Sequence, residues 1–208
     1  MADANVLIAF YSRTGVTEKL AHAVTEGARE AGADVRLRRV RDFVAEHIVQ
    51  KVPGWAEHRD RMHTEYEAPT GEDAQWADAI VFGTPTRFGN VSAELKAFVD
   101  SLGGLWFQGK LNGKVGAGFN STSTKHGGNE STILTMFNFM SHLGLILVPL
   151  GYGDPAMFQA GTPYGATAVS GTNAAPPTDI DLVVARYQGR RVTQVAKAMR
   201  SAGLTQTT

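Results

Sequence analysis

The chain has 208 residues with 20 basic and 20 acidic side chains, a formal net charge of zero, so nothing pulls it in general toward nucleic acid or an anionic membrane. It has no cysteine, which excludes disulfides, thiolate catalysis and iron–sulfur ligation. The length suits one α/β domain, 1–208, and no apolar run is long enough to span a membrane: the best candidate, Leu143–Leu150, contains Pro149.

In chain order, the first predicted strand is Val6–Tyr11. It stops at a loop of hydroxyls around one glycine, Ser12-Arg13-Thr14-Gly15-Val16-Thr17, and a helix follows with Leu20, Val24, Ala28 and Ala31 on one face. Strand, small polar loop and helix start together point free backbone N–H groups at an anion. On these residues alone, a polar turn with an ordinary helix cap is an equal reading. Asp34–Val40 is the second predicted strand, and its arginines Arg36, Arg38, Arg39 and Arg41 read as a solvated strand face and end. Residues 42–76 are polar and mixed in charge, with Phe43, Ile48 and Trp55 as scattered anchors, and read as a long loop.

The third strand, Ala79–Thr84, precedes a helical stripe of Val91, Leu95, Phe98, Val99 and Leu102. A glycine-flanked loop, Gly103–Gly109, then carries Trp106 and Phe107; adjacent loop aromatics do not readily both turn inward, so one is expected to face a ligand or another subunit. Gly113–Asn120 is the fourth strand, followed by a helix with Ile133, Phe137 and Met140 inward, and Leu145–Leu150 is the fifth. Residues 151–178 form a second long loop before a C-terminal helix, Asp179 to about Ser201, with Val184, Tyr187, Val192, Val195 and Met199 on its buried side. This alternation implies a doubly wound parallel sheet of flavodoxin-like order 2-1-3-4-5, with helices on both faces and a ligand at the carboxyl ends of the strands.

Two further loops belong at that edge. Thr86-Arg87-Phe88 follows the third strand and offers amides, a cation and a ring, a surface suited to a flat heteroaromatic ligand. Ser121-Thr122-Ser123-Thr124-Lys125-His126-Gly127 follows the fourth and is again rich in hydroxyls and glycine. Each is an unremarkable connection alone; three on adjacent strands favour a ligand site. His22, His47, His58, His63 and His126 show no metal-ligand spacing, and His58 and His63 read as solvated. The N-terminus lacks a basic region and a long apolar run, and a cytoplasmic location is expected.

The segments GTPTRFGN (Gly83–Asn90), GGLW (Gly103–Trp106), GTPYGAT (Gly161–Thr167) and ARYQG (Ala185–Gly189) resemble the WrbA-type NAD(P)H:quinone oxidoreductases along nearly the whole chain. The resemblance implies bound FMN, two-electron reduction of quinones by NADH or NADPH, and a homotetramer. It implies that Ser12, Arg13, Thr14, Gly15, Val16 and Thr17 hold the FMN phosphate. Thr86, Arg87 and Phe88 would line the isoalloxazine, and Ser121 to Gly127 would reach the ribityl chain and ring edge. Trp106 would wall the quinone and nicotinamide pocket, and His142 would approach the flavin as the catalytic group. Thr14 stands where the family commonly has a tyrosine that contacts nicotinamide, and Lys125 and His126 stand where glycine is usual, in a loop one residue longer. The two substrates are expected to share one cavity in ping-pong order. A flavodoxin-type single-electron carrier is the competing reading; the zero net charge does not favour the acidic docking face such carriers typically present.

Overall fold

The computed structural model describes residues 4–205. β1 (Asn5–Phe10) leads into α1 (Val16–Glu30), and β2 (Asp34–Arg39) pairs beside β1. Three short helices follow, α2 (Glu46–Val49), α3 (Trp55–Glu65) and α4 (Gly71–Trp76), before β3 (Ala79–Pro85). Next come α5 (Ala93–Ser101), α6 (Gly103–Phe107), β4 (Val115–Thr122), α7 (Asn129–His142), β5 (Ile146–Leu147), β6 (Thr167–Val169) and α8 (Asp179–Ser201). The strand order is β2-β1-β3-β4-β5, all parallel, as expected for a flavodoxin-like sheet, and β6 also pairs with β4.

Alternating side chains of the buried strands build two cores. Val6, Ile8, Phe10, Val81 and Phe119 face α1 and α8; Leu7, Ala9, Ile80 and Phe82 face α5 and α7. Both Gly27 on α1 and Gly189 on α8 are at the helix crossing. A Cβ on Gly27 would fall 1.9 Å from the Arg186 carbonyl oxygen, and one on Gly189 would fall 2.0 Å from that of Val24. The two backbones therefore touch, and only hydrogen fits between them.

The structure departs from the sequence reading in three places. The fifth lane is split: β5 pairs only with Val115–Gly116, and β6 takes up the lane beside Asn120–Thr122. Pro149 has no N–H for the ladder, so the chain leaves the sheet, runs through a 3₁₀ turn at Pro155–Phe158, and returns as β6. Residues 42–76 are not one loop; they hold α2, α3 and α4, and α4 is fixed by a capping box between Thr70 and Asp73. The arginines of β2 are not a solvated face. Arg39 is fully buried, and Arg36 and Arg38 reach the same Asp73 carboxylate at 2.9 and 3.4 Å. Alternation marks two sheet faces but cannot tell solvent from a covering helix.

Among the described residues no helix is long and apolar enough to cross a membrane. Gly189→Ala should destabilise the fold by about 1–3 kcal/mol through overpacking against backbone that has no other rotamer to adopt. Urea unfolding of the two proteins measures the difference, and equal midpoints would refute the close α1–α8 contact.

Candidate active site

At the carboxyl edge of the sheet a cleft of about 430 Å³ opens between the loops after β1, β3 and β4. Ser12, Arg13, Thr14, Val16 and Thr17 line it from the first loop, Thr86 and Arg87 from the second, and Ser121, Thr122 and Ser123 from the third. The three segments singled out by sequence therefore do meet. Gly15 caps α1 with φ of 90° and no side-chain hydrogen bond, so the first amides of the helix lack both an intrahelical and a capping acceptor. The Ser12 hydroxyl accepts from the Gly15 N–H at 3.1 Å and closes the loop. Thr17 Oγ1 and Ser121 Oγ lie 2.9 Å apart and tie the first loop to the third. Free amides, a helix N-terminus and three hydroxyls fit a phosphate monoester without a lysine.

The second loop is built as a fixed hairpin. Arg87 and Asn90 exchange backbone hydrogen bonds of 2.8 and 3.0 Å, while Thr86 Oγ1 meets Thr132 Oγ1 at 2.8 Å and accepts from the Gly89 N–H at 3.2 Å. Phe88 at its tip has φ of 54° and its ring fully in solvent. A phenylalanine held both strained and exposed fits a face that packs only on a ligand or a neighbouring chain.

Beneath the first loop is a buried network. The Arg39 guanidinium donates from Nη2 to the Ser12 carbonyl at 3.0 Å and to Asp42 Oδ2 at 2.6 Å. The Tyr11 hydroxyl donates to Asp42 Oδ1 at 2.6 Å, and His63 Nε2 lies 3.1 Å from Asp42 Oδ2. Burial alone would raise the Asp42 carboxyl; the Tyr11 hydrogen bond and the Arg39 charge outweigh it and hold the group below its usual value. Burial and the Asp42 hydrogen bond push the Tyr11 phenol up, and burial with the Arg39 charge pushes His63 down. His63 is thus a member of this network and not the solvated group read from sequence.

Helix α3 covers the outside of the same loop with residues at helical spacing. Trp55 lies under the Arg13 guanidinium at 4.1 Å, the His58 ring lies within 4 Å of where a Cβ on Gly15 would stand, and Arg61 pairs with Glu18 at 2.6 Å. Val52, just before α3, lines the cleft, as do Pro85, Ser170, Gly171, Thr172 and Ala174. The sequence reading did not assign these residues to the site. The hydroxyls and glycines of Ser170–Thr172 were the available signal, hidden by the length of the loop that carries them.

Other sequence candidates lie elsewhere. Thr124 and Gly127 form the turn of the third loop, where the Thr124 carbonyl accepts from the Gly127 N–H at 3.0 Å. Lys125 and His126 line a neighbouring groove with Asn129 and Asp181. Trp106 and His142 are not brought to the cleft of their own chain. Helices α5 and α7 run back from the carboxyl edge, so α6 and the end of α7 arrive at the opposite edge. There Leu105 approaches α4 at Gly71, and the Gly144 carbonyl accepts from the Gly113 N–H at 2.9 Å. The intervening strand is about 25 Å long at 3.3 Å per residue. Trp106 (53%), Phe107 (84%) and His142 are all exposed there. Sequence order carries no warning of this, since adjacency to a strand does not say at which end a helix finishes.

Residues 5–153 match the family described as NADPH-dependent FMN reductase. An NAD(P)H dehydrogenase (quinone) of Methylocella silvestris is 43% identical over 205 residues, covering 95% of this chain and 99% of the relative. One of Paraburkholderia phymatum is 43% identical over 201 residues, covering 93% and 97%. Among solved structures, a flavodoxin, WrbA-like protein from Agrobacterium tumefaciens superposes with a TM-score of 0.66 at 28% identity over 94% of this chain and 98% of that one.

Asp42→Ala should destabilise the chain by about 3–5 kcal/mol by leaving Arg39 charged, buried and unpaired, while the double change Arg39→Met with Asp42→Leu should recover part of that loss. Calorimetry of the three proteins checks both outcomes. The Asp42 carboxyl is depressed in the folded state, so its stabilisation is complete above the ordinary carboxylate range and is lost as pH falls through the folded value. The lowered His63 acts in the same direction, beginning below about pH 6.5. Acid titration of the melting temperature should accordingly be shallower for Asp42→Asn than for the unaltered chain.

Proposed function

The chain belongs to the NADPH-dependent FMN reductase family, and we propose the division of labour by which its residues serve that chemistry. The protein is an FMN-dependent oxidoreductase that reduces quinones with NAD(P)H. The observation that carries the reading is the convergence of three hydroxyl-rich loops and the uncapped start of α1 on one cleft. When bound there, FMN supplies the acceptance of a hydride from nicotinamide and its delivery to a quinone.

The chain binds and orients. The amides at the start of α1, with Ser12, Thr14 and Thr17, hold the phosphate end, and Ser121–Ser123 hold the polyol. The Thr86–Thr132 contact locks the hairpin whose Thr86, Arg87 and Phe88 line the ring. Val52 and the Ser170–Thr172 segment wall off water on either side. NAD(P)H and quinone occupy the open face in turn, in ping-pong order.

Trp106 and His142 serve the site of a neighbouring copy in a homotetramer. Their place at the far edge of the sheet leaves them exposed beside Phe107, and association covers such an apolar patch. From the neighbour, Trp106 stacks on the planar substrate and a ring nitrogen of His142 gives a proton to the quinone oxygen. A cytoplasmic setting is part of this reading.

Thr14→Glu with Thr17→Glu should weaken FMN strongly at unchanged far-UV dichroism, read by quenching of flavin fluorescence on binding; unaltered affinity would remove the phosphate assignment. Light scattering should give about four times 22.3 kDa. His142→Ala should slow the oxidative half-reaction by about ten- to a thousandfold in stopped flow. Co-expression of His142→Ala with Thr14→Glu/Thr17→Glu should give activity above that of either variant alone, because mixed tetramers contain sites with both parts intact. A monomer, or no recovery on co-expression, would refute the shared site.

A further inference from the structure

Arg13 and Arg87 both line the cleft, and neither forms an ion pair among the described residues. Among the described residues the Arg87 side chain donates only to the Thr86 carbonyl, at 3.0 Å, and the Arg13 Nε is buried without a partner. Arg13 is also held. Its guanidinium is stacked over Trp55 at 4.1 Å, and Trp55 is 5% exposed at the base of α3. Arg13 and Arg87 line the same cleft, one from the loop after β1 and the other from the hairpin after β3. Burial and the charge of Arg87 both push the Arg13 guanidinium down, while Glu94 is close enough to be felt yet pairs with neither arginine.

Two converging guanidinium groups without a carboxylate repel each other, and the arrangement is relieved by an anion that accepts from both. A phosphate monoester, carrying about two negative charges near neutral pH, matches the pair better than a single charge would. The phosphate of FMN already has its own amides and hydroxyls at the start of α1. Resting on the reading of this cleft as an FMN and NAD(P)H site, we infer that Arg13, clamped on Trp55 and converging with Arg87, forms a second anion subsite that takes the 2′-phosphate of NADPH and gives the enzyme a preference for NADPH over NADH. Arg13 is then the specificity-determining residue, and its place in the first loop serves the dinucleotide more than the FMN phosphate.

The test uses the FMN-loaded protein and two nucleotides that differ only in the 2′-phosphate, adenosine 2′,5′-bisphosphate and adenosine 5′-monophosphate, titrated by calorimetry. The bisphosphate should bind at least about tenfold more tightly, and Arg13→Gln should abolish that difference. The ratio of kcat/KM for NADPH to that for NADH should fall by a similar factor, while the Kd for FMN changes less than about threefold. Arg13→Lys, which keeps the charge but loses the fork and the stacking plane, should retain only part of the discrimination. Equal binding of the two nucleotides by the unaltered protein would overturn the inference without any variant. A tenfold or greater loss of FMN affinity in Arg13→Gln with discrimination intact would also overturn it and return Arg13 to the FMN phosphate. If neither NADH nor NADPH reduced the loaded protein, the oxidoreductase reading itself would fail, an outcome separate from the nucleotide titration.

Discussion

Arg39 ends β2 with its guanidinium closed off from solvent, and its hydrogen bonds decide where the first loop can lie. One N–H group holds the Ser12 carbonyl, and the same group holds Asp42, which in turn holds Tyr11. The end of β1, the end of β2 and the chain entering α2 are thereby fixed to one buried charge pair. A pair of this kind contributes little net stability against apolar replacements, but it is costly to break and strongly directional. Direction is what an anion loop needs, because its amides act only when they point to a common centre. The hydroxyl bridge from Thr17 to Ser121 then transmits the same position to the loop after β4.

The cleft depends equally on a break in the sheet. Pro149 ends β5 after two paired residues, and β6 enters the same lane only at Thr167, nearer the carboxyl edge. The excursion between them is anchored where the Tyr187 hydroxyl reaches the Leu150 carbonyl and where Gln188 bridges the Gly118 carbonyl and the Ala166 N–H. It delivers Ser170–Thr172 to the cleft, where the Ser170 N–H donates to the Thr122 carbonyl at 2.8 Å. Helix α3 closes the opposite side. With only Trp55 and Met62 buried, it has little core of its own, and its place is set by contacts to the loop it covers. Loop and helix thus order each other, which couples occupancy of the cleft to the stability of the 42–76 segment.

The two edges of the sheet carry different kinds of surface. The carboxyl edge is polar and concave, lined by hydroxyls and arginines. The far edge exposes Trp106 and Phe107 on a five-residue helix with no buried side chain. One chain cannot bring these edges together across the length of β4, but copies arranged with closed symmetry can place one against the other. The exposed ring of Phe88, on a strained backbone at the cleft edge, faces the same requirement from the opposite side.

Periodicity determined the α/β class and the strand ends where three polar loops belong, because buried parallel strands and amphipathic helices leave local signatures that need no distant partner; the strand order came from the fit of five strands, with an anion loop after the first, to the flavodoxin-like arrangement. The hydroxyls of Ser12, Thr17 and Ser121 were legible for a related reason: each belongs to a polar, glycine-bearing stretch between a predicted strand and the helix that follows it. Tertiary structure decided the burial of Arg39, the joining of His63 to Asp42, the covering of Gly15 by α3 and the return of residues 167–169 to the sheet. It also separated Trp106 and His142 from the cleft of their own chain. All of these depend on contacts between residues distant in sequence or on the direction in which a helix runs. Alternation records that a side chain has two possible faces, and only the packed neighbours determine whether the face it takes is solvent, a carboxylate or another subunit.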